Sequence, residues 1–224
     1  MMRNVFKRII SIWPVGLIII FSSLVFHTWI FSFSPVTSGD WMFNDEINLT
    51  EYYDIPKIIS HNGFGGADIM GLSFFPFNLV TAALVHFGLT YSAALRFVFL
   101  YIIVFLGPIA NYFLIKKIFK SNLAAFIGAL LFQFNPYFLI LGNGVLTLMA
   151  SYSLFPLILL QYINSLEKDS FKGLLITGLL LYVASFYEVR GFFLITPILF
   201  GYSLFHVFVI KKNMSLVRSL KKLI

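Results

Sequence analysis

Residues 91–117 read YSAALRFVFLYIIVFLGPIANYFLIKK, and this stretch decides the fold. The apolar run Tyr91–Ile115 exceeds the roughly 18–20 residues that a helix needs to cross a bilayer. It closes on a basic cluster of Lys116, Lys117 and Lys120, the pattern of a membrane span ending at a charged boundary. Upstream, a Gly88-Leu89-Thr90 break separates it from a second uncharged run, Leu72–Leu89. Downstream lie Leu123–Leu141, Val145–Ile163, Gly173–Tyr187 and Phe192–Ile210, and at the front Ile9–Phe31. The whole chain agrees with this local reading: 59% of its 224 residues are hydrophobic and only 11% charged, with a mean hydropathy of +0.91. So few charges cannot cover the surface of a soluble domain of this size. The expected fold is all-α, a polytopic transmembrane helical bundle in a single transmembrane domain spanning 1–224. A soluble enzyme, a nucleic-acid-binding domain and a disulfide scaffold are excluded, the last because the chain has no cysteine.

The charges set the topology. Ile9–Phe31 is too long for a signal-peptide core and lacks a small-x-small cleavage site, so it reads as a retained helix with Arg3, Lys7 and Arg8 at its inner start. Hydropathy alone gives seven spans. If all seven cross, Lys116–Lys120 and the basic tail fall outside, against the usual bias of Lys and Arg. If Leu72–Leu89 instead lies in the outer interface, six helices span and 13 of the 16 Lys and Arg residues are inside, leaving only Lys57, Arg96 and Arg190 outside. Pro76, Asn78 and His86 weaken that segment as a lipid-facing span, while Phe74, Phe75, Phe77 and Phe87 suit an interfacial helix. The expectation is therefore about six spans, an external segment 34–90 containing an interfacial helix, a basic cytoplasmic tail 211–224, and both termini on the cytoplasmic side of the cell membrane. The net charge of +7 then marks the inner face, and nucleic acid is not an expected partner. Gly107-Pro108, Asn135-Pro136, Pro156 and Pro197 free backbone carbonyls that neighbouring helices or water must satisfy, and Asn111, Gln133 and Gln161 are suited to bonding across helices.

Six of the nine acidic residues, Asp40, Asp45, Glu46, Glu51, Asp54 and Asp68, fall in the first external segment. Most serve as solvating charge there: Asp45 and Glu46 are adjacent and would diverge on a helix. Asn48-Leu49-Thr50 fits a glycosylation triplet, and His61-Asn62-Gly63-Phe64-Gly65-Gly66 reads as a turn. Ser38-Gly39-Asp40-Trp41 differs, because it follows the helix exit closely. Gly39 permits a tight backbone and Trp41 is an interfacial anchor, which together would hold the Asp40 carboxylate at the membrane surface. There it could act as a general base or as a ligand for a divalent metal. A second external feature, Tyr187-Glu188-Val189-Arg190-Gly191, follows a short run of 15 residues that draws its charges toward the outer boundary. Arg190 could clamp a lipid phosphate and Glu188 orient it; a local Glu–Arg arrangement at a hairpin tip is the alternative. The histidines, His27, His61, His86 and His206, show no metal-ligand spacing.

An early external acid, Asp40 in Gly39-Asp40-Trp41, is followed by a candidate interfacial helix at Leu72–Leu89 and a helix with Arg96 near one end and Lys116-Lys117 at the other. This order resembles the amino-terminal module of GT-C membrane glycosyltransferases, the superfamily of the oligosaccharyltransferase catalytic subunit and the protein mannosyltransferases. Phe134-Asn135-Pro136-Tyr137, Gly142-Asn143-Gly144 and Ser153-Leu154-Phe155-Pro156 are similar to its polyisoprenyl-linked branch. The resemblance implies transfer of a sugar from a polyprenyl-phosphate donor at the outer face; there Asp40 would be the catalytic residue that deprotonates or orients the acceptor hydroxyl, with Trp41, Glu188 and Arg190 at the substrate site. The chain departs from the pattern in two respects. Asn143 stands where the family usually carries an acidic motif, which bears on metal use, and the family usually has more helices, so the chain is expected to be a partial module assisted by other membrane subunits. The competing expectation is a non-catalytic scaffold, lipid-binding or transport component of a larger complex.

Overall fold

The computed structural model describes residues 2–32, 69–141 and 145–210. The acids of the segment with Asp40 and Trp41, the tripeptide with Asn143, and the basic tail lie outside the described residues. Every regular element among the described residues is helical: α1 (Met2–Val25), α2 (His27–Phe31), α3 (Ile69–His86), α4 (Tyr91–Phe119), α5 (Asn122–Gln133), α6 (Pro136–Leu141), α7 (Leu146–Glu167), α8 (Phe171–Tyr187) and α9 (Val189–Ile210). Four stretches are long and apolar enough to cross a membrane: α4, α5 running into α6 as far as Ile140, α7 and α9. Shorter apolar helical stretches are Trp13–Val25, Pro76–His86 and Phe171–Tyr187. The protein is a helical membrane protein.

Polar punctuation ends and starts these helices where the sequence breaks. Gly88, at φ +96°, takes the left-handed conformation that closes α3, and the Thr90 hydroxyl then accepts from the Ala93 N–H to start α4. Lys120 (φ 56°) ends α4 in the same conformation, and Ser121 caps α5. Asp169 (φ 49°) and Ser170 do the same between α7 and α8. Connections this short make α4, the α5–α6 stretch, α7, α8 and α9 run up and down between two ends of the bundle. One end carries Lys116, Lys117, Lys168 and Lys172 and is called here the lysine end. The other carries Arg96, Glu188 and Arg190.

α7 is the central strut, and it is met by glycines on three neighbours. A Cβ on Gly107 of α4 would lie 2.9 Å from the Ser153 Cβ; one on Gly173 of α8 would lie 2.9 Å from the Ser165 Cβ; and one on Gly191 of α9 would meet the side chain of Ser151. Small residues on both sides let the backbones approach closely, which drives helix association where lipid removes the hydrophobic incentive. Pro156, Pro197 and Pro76 are accommodated inside continuous helices.

Pro108 shows how such a freed carbonyl is satisfied. A proline cannot donate to the carbonyl four residues back, here that of Val104. Gln133 of α5, fully buried, donates its Nε2 to that oxygen at 2.9 Å, and its Oε1 accepts from the Ser22 hydroxyl of α1 at 2.7 Å. One amide thus ties three helices together. Asn111 donates to the Gly128 carbonyl at 2.9 Å and Gln161 to the Gly173 carbonyl at 3.4 Å, both across helices as their residue types allow. The same region of α4 departs from regular α-helix in two π-helical stretches, Arg96–Leu100 and Ile102–Leu106, which widen the helix just before Pro108.

Candidate functional site

The sequence places two of its four candidate residues on the hairpin between α8 and α9. Glu188 is extended (φ −162°, ψ 115°) and forms the N-cap of α9, its carboxylate accepting from the Arg190 N–H. The same carboxylate receives both arms of the Arg190 guanidinium, Nε to Oε1 and Nη2 to Oε2, each at 2.8 Å. The pair is therefore bidentate and local. The Glu188 side chain is 14% exposed and that of Arg190 65% exposed. Hydrogen bonding from Arg190, outweighing partial burial, holds the Glu188 carboxyl below the usual carboxylate range. Both candidates stand at one spot, but the arginine is engaged with its neighbour rather than open on all sides.

Behind this pair lies an aromatic knot. Tyr187, 4% exposed, donates its hydroxyl to the Val98 carbonyl in the first π-helical stretch at 2.5 Å. Its ring stacks on Phe77 of α3, with centroids 3.9 Å apart, and meets Phe99 of α4 edge-on at 5.4 Å. Ala82 of α3 is buried in a small cluster with Tyr91. The helix expected in the outer interface is thus fastened to the Arg96 end of α4 and to the end of α8. On the far side of the hairpin, Gly191 packs against Ser151 and Phe155 of α7. Tyr152, one residue on from Ser151, stacks parallel to Phe132 at 4.9 Å and approaches Tyr137 at 6.2 Å.

Sequence reasoning did not enter Arg96 among the site residues. It is 5% exposed, and its Nη1 donates to the Ser92 carbonyl at 2.8 Å and to the Ser92 hydroxyl. The signal was present as a single cation inside an apolar run, a position that defaults to a functional hypothesis in a membrane helix. Asp40 and Trp41 lie outside the described residues, so their place relative to this knot is not part of the geometry. Among the described residues no group of three or more His, Cys, Asp or Glu side chains is placed to hold a metal ion. Glu188, the one described carboxylate at this end, has both oxygens on Arg190, so these residues do not make up a metal site.

Taken together, the fold and this end of it define a helical membrane protein in which cations, a carboxylate and aromatic rings gather at one end of the bundle. Comparison with family models, with curated proteins and with solved structures gives no match that would narrow this class.

Proposed function

We propose that the chain is a glycosyltransferase-like module of GT-C type, moving a sugar from a polyprenyl-phosphate donor to an acceptor at the outer membrane face. In this reading six helices span the cell membrane, the lysine end is cytoplasmic, both termini lie on that side, and α3 rests in the outer interface. The observation that carries it is the grouping of Arg96, Tyr187, Glu188 and Arg190 at the end opposite the lysines. That is where the head of a lipid-linked donor would sit if the lysines mark the inner face. Asp40, held near the boundary by Trp41, takes the proton of the acceptor hydroxyl as its oxygen bonds to the anomeric carbon. The bond from that carbon to the phosphate oxygen breaks, and the polyprenyl phosphate leaves with the electron pair. Arg190 stabilises the departing charge, and Glu188 fixes the guanidinium in place between turnovers. Any divalent metal would need carboxylates from the segment that contains Asp40. Lipid-linked donor, surrounding lipids and further membrane subunits are the expected partners.

The test is Asp40→Asn in the full chain, with membrane expression measured alongside the outer-face glycan product. Loss of product at unchanged expression is expected. Unchanged product overturns the transferase reading. A second reading, a non-catalytic lipid-binding or scaffold component, is favoured by one observation: the bidentate Glu188–Arg190 pair already occupies the clamp.

A further inference from the structure

We infer that Arg96 is an anion-binding residue that receives the phosphate of a membrane lipid at the boundary opposite the lysine end. Three independent features converge on it. The first is depth: Arg96 and Lys117 are 21 residues apart on one continuous helix. At about 1.5 Å per residue this is roughly 30 Å, the thickness of the hydrocarbon core. With Lys117 at one boundary, Arg96 stands at the level of the opposite phosphates.

The second feature is placement. A guanidinium that only needed solvation would snorkel to the surface, as long basic side chains at span ends usually do. Arg96 is instead 5% exposed, on a stretch of α4 packed against α2, α3 and α7. Charge enclosed at this depth is costly and marks function by default. The third is pre-orientation. Ser92, one turn earlier, holds one arm of the fork through both its carbonyl and its hydroxyl. Two residues later the Val98 carbonyl is tied to Tyr187, which stacks on Phe77. The helix bearing the guanidinium is therefore fixed on both sides of it, and a planar fork of set orientation suits a phosphate better than a mobile ammonium does.

The inference rests on the transferase reading only for its choice of polyprenyl probe. The experiment uses the full chain in phosphatidylcholine nanodiscs, with binding followed by native mass spectrometry and by the thermal midpoint. Polyprenyl monophosphate, phosphatidylglycerol and inorganic phosphate are added separately. Polyprenyl monophosphate is expected to bind and to raise the midpoint, and Arg96→Gln to weaken it about tenfold or more, the scale of a lost charge-assisted hydrogen bond. Arg96→Lys should recover only part of the affinity. Phosphatidylglycerol binding equally well assigns the site to lipid phosphates in general, and inorganic phosphate binding as tightly as the lipids replaces a lipid ligand by a free one and overturns the inference. It is also overturned if no probe binds the native chain, or if Arg96→Gln binds as the native chain does. Should Arg96→Gln fail to reach the membrane, Ser92→Ala serves instead, and unchanged affinity in that variant overturns the inference. Arg96-dependent binding without transfer would sink the transferase reading alone, and transfer without Arg96-dependent binding would sink this inference alone.

Discussion

At the lysine end, Lys117 of α4 reaches Glu167 of α7 at 2.6 Å, with side chains 22% and 44% exposed; at the other end, Arg96 is enclosed and Arg190 folds back on a carboxylate two residues away. The first arrangement is a cross-helix pair in partial contact with solvent, and such pairs are worth little. The second keeps one cation under cover and neutralises the other locally. Packing does not differ in this way. The glycine–serine contacts along α7 occur near the arginine end (Gly191 on Ser151), further in (Gly107 on Ser153) and toward the lysine end (Gly173 on Ser165). The glycine–serine seam is alike toward the two ends, and their charges are handled differently. A difference in charge over a shared seam is what a ligand-directed end requires and an architectural one does not.

Uniform packing is the part of this contrast most open to being broken. Gly107→Val would drive its side chain into the Ser153 Cβ and backbone, where no flexible group can yield. The expected destabilisation is about 3 kcal/mol, at the upper range for overpacking. Gly173→Val, facing the Ser165 Cβ and Cα, should come close to it. Equilibrium unfolding in mixed micelles measures both. If Gly173→Val were nearly neutral while Gly107→Val was severe, the seam would be tight only away from the lysine end and the two ends would differ in packing too.

The next effect in size lies between the ends. Gln133→Leu removes the donor to the Val104 carbonyl and the acceptor for Ser22, for an expected loss of about 1–2 kcal/mol. Pro108→Ala restores a backbone donor to that carbonyl, so Gln133→Leu should cost less in a Pro108→Ala background. Strict additivity in the double-mutant cycle would show that Gln133 does not answer the proline.

Much of this was legible in the sequence and some of it could not be. The apolar runs, the Gly88–Thr90 break and the need of the carbonyl freed by Pro108 for a partner follow from local rules, because a carbonyl without a backbone donor must find another within reach. Which residue supplies it, and that glycines of three helices converge on serines of a fourth, are facts of tertiary proximity that no local pattern encodes. The Glu188–Arg190 pair was one of two alternatives the sequence left open at the hairpin tip, and its bidentate geometry was hidden for a different reason. Positions two apart on a helix point away from each other, and only the extended backbone of Glu188 turns its carboxylate back over the first turn. Arg96 was visible as a residue and invisible as a site, since hydropathy shows a cation in an apolar run but not whether it faces lipid, solvent or protein.

The smallest expected effect sharpens the charge contrast by pairing the two ion pairs. Glu188 has its carboxyl held below the usual range by Arg190. A group whose folded pKa is depressed contributes stability above its unfolded pKa, about 4.3 for Glu, and loses it as pH falls through the folded value. Native protein should therefore lose part of its stability on acidification below about pH 4.3, while Glu188→Gln, already lacking that contribution at neutral pH, should lose less over the same interval. Lys117→Ala breaks a pair in partial contact with solvent and should cost no more than about 0.5 kcal/mol, a loss that shrinks further in high salt. Thermal midpoints across pH and ionic strength separate the two. If Lys117→Ala proved as costly as Gln133→Leu and insensitive to salt, the lysine end would be holding its cation as tightly as the arginine end does. Charge would then be specially managed at both faces and not at one.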